Sequence, residues 1–412
     1  MNNSTVRWSV AQKILFRFFA CFFTLYIFGG LLSFIFRIFV PWFAVYILKF
    51  EDPITVFTNG SGDTTYDYVT MFVYLLLAFL SATIWSIIDR KRENYQQLLY
   101  WVSVLVRYYL VMSMLIYGFY KIFHLQMPSP LLSQLIQPLG DKSPMGLAWT
   151  YIGFSKGFSF FTGFAEVTAG FFLLFRRTVT FGALLTAIVT INILAINLFF
   201  DVPVKLFSFT LFLMSLFLLA PDLKRLINFF LLNKQIEAKN QPAYLKKRWL
   251  RVVSVAIKCL FVGYLCYNGV SSGIEGQKAY GDKKPKPALY GLYDADVIIR
   301  NNDTIPPLIT DASRWRNLII QREEHAMVKM MNDSIKYLNF TIDTTSKTVL
   351  FYDNIHASNK NRLTYQKEKE YLTFSGIIDQ DSVYMRFKER DIKSFKLMNT
   401  GFRWVNEYPD NR

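Results

Sequence analysis

The stretch FSFFTGFAEVTAGFFLLFRRTVTFGALLTAIVTINILAINLFFDVPVKLFSFTLFLMSLFLLA, residues 158–220, decides the fold class of this 412-residue chain. It holds three apolar runs, Phe158 to Phe175, Val179 to Phe200 and Val204 to Ala220, broken by Arg176-Arg177 and by the short turn around Asp201 and Pro203. An apolar run of roughly 17 residues or more crosses a bilayer core of ~30 Å. Comparable runs lie on either side: Phe18 to Phe36, Tyr68 to Ile88, Leu98 to Phe123 and Val252 to Ser271. The expected architecture is therefore an all-α membrane bundle of about seven spans. The first run follows Lys13 and Arg17 as a signal peptide would, but it is too long and no small-residue cleavage site follows, so it reads as an uncleaved span. Pro41 to Leu48 is left as a re-entrant or interfacial helix.

Basic residues set the orientation. Arg90, Lys91 and Arg92 follow the second run, Arg176 and Arg177 the fourth, and Lys224 through Arg251 the sixth. Cytoplasmic loops concentrate Lys and Arg, so the N-terminus is expected in the cytoplasm of an inner-membrane protein and the C-terminus outside it. The formal charge of +16 is thus a matter of topology, and nucleic acid is not an expected partner. Three cysteines, Cys21, Cys259 and Cys266, all fall in candidate spans without a C-x-x-C pair. That pattern argues against a disulfide framework, a thiol redox centre and a cysteine metal site.

From about Gly281 the composition changes to a Lys/Pro linker and then to short alternating segments. Val297–Arg300, Arg316–Ile320, Ala326–Met331, Tyr337–Ile342, Thr348–Tyr352, Tyr371–Ile378, Val383–Lys388 and Ser394–Leu397 read as strands. Turn formers separate them at Asn332-Asp333-Ser334, Asp343 to Lys347 and Asp379 to Ser382, which predicts a soluble antiparallel β-barrel or β-sandwich. The chain then divides into a two-span region (1–97), a four-helix core (98–220), a basic loop with the seventh span (221–280) and an extracytoplasmic β-domain (281–412).

Charged residues inside the spans are the first candidates for function, because each is costly in lipid unless paired. Arg107 lies nine positions after Leu98 and Glu166 eight after Phe158, so both are placed ~12–14 Å deep at 1.5 Å per residue. They are expected to pair, either to fix helix packing or to form a proton or ligand site. Lys121 shares a face of the third span with Arg107 and Gly118, and Gly163 and Gly170 flank Glu166. Asn192, Asn197, Asp201 and Lys205 converge toward the outer surface, and the outer loops add Asp63, Asp67 and Asp141, with His124 beside Lys121. This set reads either as an outward-facing polar cleft or as solvated loops capping helices. In the tail, His325, His356 and Glu323-Glu324 have irregular spacing and read as solvated surface, so no metal site is expected.

Residues 98–220 resemble the DoxX-like family of four-helix membrane proteins. The resemblance rests on Arg107 near the start of the first family helix, Gly118 and Lys121 at its outer end, Glu166 with Gly170 on the next helix, and the basic turn Arg176-Arg177. The added spans and the ending GFRWVNEYP at 401–409 resemble longer DoxX-like proteins with an appended calycin-like tail. The resemblance implies fold more than function; relatives include a subunit of a thiosulfate:quinone oxidoreductase and partners of envelope redox enzymes. With neither a cysteine pair nor a haem-spaced histidine pair in the bundle, the expectation is a non-enzymatic envelope protein. It would anchor the β-domain in the lipid bilayer and bind a lipid, a quinone-like ligand or a partner protein at the polar cleft. The alternatives are the membrane subunit of a quinone-linked oxidoreductase complex, with quinone as cofactor, and a small-solute transporter, for which no inverted repeat is evident.

Overall fold

A computed structural model describes residues 7–56, 60–236, 247–353 and 360–410. The described chain forms two compact units, and the division is not linear: Pro130–Lys142 belongs with Lys283–Arg412, while Ser143–Asp282 belongs with the residues before Pro130.

The first unit is helical. Its elements are α1 (Val10–Phe28), α2 (Ser33–Tyr46), α3 (Thr65–Ile88), α4 (Gln96–Ile122), α6 (Pro144–Phe154), α7 (Lys156–Leu173), α8 (Val179–Phe199), α9 (Lys205–Leu219), α10 (Leu223–Phe230) and α11 (Arg248–Ala279); α5 (Leu132–Leu135) lies in the other unit. Among the described residues six helical segments are long and apolar enough to cross a membrane: Val10–Tyr46, Thr65–Ile88, Gln96–Ile122, Val179–Phe199, Lys205–Phe230 and Arg248–Ala279. Helix α7 covers the run expected at 158–175 but is not among them, because Lys156, Glu166 and its small residues dilute its apolar content.

The first span differs from expectation. Helix α1 starts at Val10, where Ser9 and Gln12 form a capping box, and it ends at Phe28, so Arg17 lies within it rather than flanking it. Arg17 is buried yet satisfied, donating to the Tyr95 hydroxyl, Ser86 Oγ at 2.8 Å and the Asp89 carbonyl at 2.9 Å. A short 3₁₀ turn at Gly29–Leu32 leads into α2, so Pro41 is inside a helix that already began at Ser33. Ring contacts show where α2 goes. Along α1 they run from Phe16 on Trp85 to Gly29 beside Tyr74, but α2 then stays at one level of α3, with Phe36 on Tyr74 and Phe43 on Phe72. Helix α2 therefore turns across α3 instead of continuing alongside it.

The second unit is a closed antiparallel barrel. Its strands are β1 (Gly291–Arg300), β2 (Asp303–Thr304), β3 (Trp315–Arg322), β4 (His325–Met330), β5 (Ile335–Asp343), β6 (Thr348–Asp353), β7 (Asn361–Glu368), β8 (Tyr371–Ile378) and β9 (Asp381–Glu389). They pair in the order β2-β1-β3-β4-β5-β6-β7-β8-β9, and β1 also pairs with β9, which closes the barrel and removes its free edges. Tight turns use left-handed residues at the expected punctuation, including Asp333 at φ 65° and Asp379-Gln380 at φ 49° and 78°. Two sequence expectations fail. Strand β7 was not expected, because Leu363 and Tyr365 alone carry its inward face among polar neighbours; Ser394–Leu397 forms a 3₁₀ turn and the short helix α12 (Lys396–Asn399) instead of a strand. His356 lies outside the described residues, and Glu323-Glu324 form the turn between β3 and β4.

Inward-facing residues such as Tyr293, Leu318, Val328, Phe340, Phe374 and Phe387 fill the barrel. Strands β3 and β4 are also buried on their outer face. There Leu132 in α5, with Leu135 and Ile136, packs on Leu292, Ile319 and Met327, and Ser133 and Gln321 exchange hydrogen bonds of 3.2 and 3.1 Å. An isolated fragment 283–412 should fold as a barrel but leave that patch wet. Fusing residues 130–142 to it through a flexible linker is expected to raise its stability to urea by ~1.5–3 kcal/mol, the value of burying one leucine side chain. Identical urea midpoints with and without the segment would show that it does not pack there.

Candidate functional site

The strongest polar site in the helical unit is built around the C-terminal half of α4, where that helix packs closely on α7. Gly118 of α4 faces Gly163 and Val167 of α7, and Gly170 faces Met114. A Cβ on Gly163 would lie 2.8 Å from both the Ile122 amide nitrogen and the Lys121 Cβ, so the two backbones are already in contact. This close approach brings Lys121 and Glu166 together as an ion pair, with their side chains 9% and 1% exposed. Glu166 uses Oε1 for the bond, while its buried Oε2 has no hydrogen-bond partner among the described residues. Ser159 closes the same region by donating to the Lys121 carbonyl at 2.9 Å.

The expected partner of Glu166 was Arg107, and the structure separates them. With Gly163 opposite Gly118 and Gly170 opposite Met114, Glu166 lies at the level of Gly118, which is about eleven residues or ~16 Å along α4 from Arg107. Helix α4 has 27 residues and α7 has 18, so positions equally far from their opposite ends do not meet. Arg107 instead stacks over the Tyr108 ring at 5.1 Å, and its buried Nε lacks a hydrogen-bond partner among the described residues. Lys258, on α11, donates to the Leu174 carbonyl at the end of α7 and sits over the Phe175 ring.

One turn beyond Lys121, His124 ends α4 in the left-handed conformation, φ 53°. Helices usually place glycine there, so a buried histidine at this position is a strained choice that its contacts must hold. Its Nδ1 faces Asp282 Oδ2 at 3.1 Å and its Nε2 faces the Gly153 carbonyl at 3.0 Å. Both partners accept, so both bonds form only when both ring nitrogens carry hydrogen. The same Asp282 oxygen accepts from Ser129 at 3.2 Å and from Lys156 at 2.7 Å. Burial pushes the Asp282 carboxyl upward, but the bonds from Lys156 and His124, the charge of Lys156 and the Ser129 hydroxyl outweigh it, so the group sits below the ordinary aspartate range. Asp282 thereby joins the ends of α4, α7 and α11. Sequence reading noticed His124 but missed Asp282 and Lys156, since nothing local links positions 124, 156 and 282.

The other candidates separate into distinct structural roles. Asp63 accepts from the backbone amides of Lys205 and Leu206 at 2.7 and 3.0 Å, capping α9, and Lys205 bonds Asp201 at 2.7 Å. Asp67 completes the capping box of α3 with Thr64. Asn197 is buried and donates to Ser208 Oγ at 2.9 Å, tying α8 to α9, whereas Asn192 is exposed on α8. Asp141 belongs to the barrel unit. The structure thus brings Lys121 and Glu166 together and gathers Asp63, Asp201 and Lys205 at the α8–α9 turn, while Arg107 and Asn192 join neither group. Among the described residues no cluster of three or more His, Cys, Asp or Glu is arranged to hold a metal.

Comparison with known proteins adds little about activity. No family model matches the chain. It is 37% identical over 84 residues to the uncharacterized protein YwoB of Bacillus subtilis (strain 168), a match that covers 20% of this chain. The chain spans about half the length of that relative, 54%. No solved structure matches.

Proposed function

We propose that this is a multi-pass envelope protein whose helical bundle anchors the β-barrel on the outer side of an inner membrane, with the N-terminus in the cytoplasm. The observation that carries the reading is the membership of Pro130–Lys142 in the barrel unit. That segment leaves the bundle after α4 and the barrel leaves it after α11, so both lie on one side of the membrane. An even number of crossings must separate them, which α7, α8, α9 and α11 supply only if α7 spans the bilayer despite its polar content. Counting back through α4, α3 and α1 puts the N-terminus on the opposite side, and Arg90–Arg92 and Arg176-Arg177 mark that side as cytoplasmic. Reporter fusions after Arg177 and Asn240 are expected to be active only as cytoplasmic markers, and fusions after Lys142 and Arg412 only as exported ones. A cytoplasmic signal at Arg412 together with an exported one at Lys142 would overturn the arrangement.

The Lys121–Glu166 pair favours a second, more specific role within the same protein. A buried cation that can donate and a carboxylate oxygen left without a donor suit a quinone and its quinol, since Lys121 would donate to a carbonyl of the oxidised form and Glu166 Oε2 would accept from a hydroxyl of the reduced form. The DoxX-like resemblance of residues 98–220 supports the same reading, with the chain as a membrane partner of an envelope oxidoreductase. Protein purified in mild detergent should retain quinone in extractable amount, and Glu166→Gln should lose it. Retention by the variant, or no quinone in the parent, would leave the anchoring role alone.

A further inference from the structure

At the opposite end of the bundle from Lys121, we infer a binding site for the phosphate of an anionic phospholipid, formed by the α7–α8 turn and α10. Helix α10 follows α9 directly and is strongly amphipathic, with Lys224, Arg225 and Asn228 on one side and Leu223, Leu226, Ile227 and Phe230 on the other. Leu226 packs on the bundle core, while Leu223, Phe229, Phe230 and Leu231 are all more than half exposed. A short helix of this kind at the end of a span lies in the interface between headgroups and acyl chains. Between it and α8 is a cavity of about 450 Å³ lined by Arg177, Thr180, Phe181, Asp222, Arg225 and Phe229.

The lining has the two chemistries that a phospholipid requires. Asp222 is buried and accepts from Thr180 Oγ1 at 2.5 Å and from Arg225 Nη1 at 3.2 Å, which fixes the Arg225 side chain along the cavity. Arg177 lines the cavity beside Arg225 and makes no hydrogen bond or ion pair among the described residues, so its guanidinium offers a positive charge that a phosphodiester would neutralise. The aromatic rings Phe181 and Phe229, about half exposed at 49% and 54%, offer the apolar wall for the first methylenes of an acyl chain. Guanidinium forks bind phosphate oxygens in two-pronged fashion, and anionic lipid is enriched where basic loops meet the cytoplasmic leaflet. The site is separate from the Lys121–Glu166 region and does not depend on any role assigned to it.

The test is native mass spectrometry of the full chain in mild detergent, titrated with phosphatidylglycerol or with phosphatidylcholine of the same acyl composition. Phosphatidylglycerol should be retained in preference, and Arg177→Gln should lower its occupancy about fivefold, the effect of removing roughly one basic contact at an anionic surface. Arg177→Lys should keep most of the occupancy, and Arg90→Gln, at the same end of the bundle, should change nothing. Melting of the same samples separates lost binding from lost folding, since among the described residues Arg177 makes no hydrogen bond or ion pair that its replacement would break. Equal retention of the two lipids, or equal losses from Arg177→Gln and Arg90→Gln, would overturn the site. A shift in melting temperature with inorganic phosphate as large as that with phosphatidylglycerol would assign the cavity to a soluble phosphate instead and overturn the lipid.

Discussion

Replacing Glu166 by Gln, or Lys121 by Gln, is expected to destabilise the bundle by ~3–5 kcal/mol, because either change leaves the other charge buried without its partner. The pair sits where backbones touch, and with side chains 9% and 1% exposed neither partner can reach solvent by a change of rotamer alone. The double substitution should cost clearly less than the two single changes together, since two neutral groups can share the same space and one hydrogen bond. The corresponding cycle on Arg107 and Glu166 should be additive, because Arg107 packs on Tyr108 about three turns of α4 away. Thermal unfolding in a single detergent, read for the three single and two double variants, checks both cycles. Strong coupling between Arg107 and Glu166, with none between Lys121 and Glu166, would mean that α4 and α7 meet in a different register.

The second large effect is expected at the glycine contact that sets this register. Gly163→Ala would place a methyl group 2.8 Å from the Ile122 amide nitrogen, and Gly118→Ala one at 2.9 Å from the Gly163 carbonyl. These neighbours are backbone atoms and cannot rotate away, so the helices must move apart, at about 1–3 kcal/mol for each added methyl. Separation would also stretch the Lys121–Glu166 bond, so the loss should exceed that of simple overpacking. Gly163→Leu should prevent the bundle from assembling in detergent. Gly263 on α11 provides the contrast: a Cβ there meets nothing within 4 Å, and Gly263→Ala should be neutral or stabilising by up to ~1 kcal/mol through helix propensity. If Gly163→Ala and Gly263→Ala behaved alike in size-exclusion and melting measurements, close packing of α4 on α7 would be excluded.

These contacts also show where sequence reading stops. Hydropathy alone determined that the chain holds membrane-length helices, because bilayer thickness imposes a minimum apolar length that composition reports directly. Alternation and turn chemistry in the last third determined that a β-domain follows, because a half-buried strand must present apolar residues at every second position. Strand β7 escaped because only Leu363 and Tyr365 carry that alternation. The first span was misplaced because Arg17 looks like a flank until Tyr95, Ser86 and Asp89 surround it. Lys121 and Glu166 were legible as candidates, since charge in a span is conspicuous. Their pairing was not, because the axial offset of two helices of unequal length is set by the loop between them and by where glycines allow contact. The joining of positions 124, 156 and 282 and the capture of residues 130–142 by the barrel were decided by tertiary structure alone. Both bring together residues far apart in the chain, and no local propensity or spacing encodes such a meeting; it follows only from how helix ends and an uncovered apolar patch on β3 and β4 find their cover.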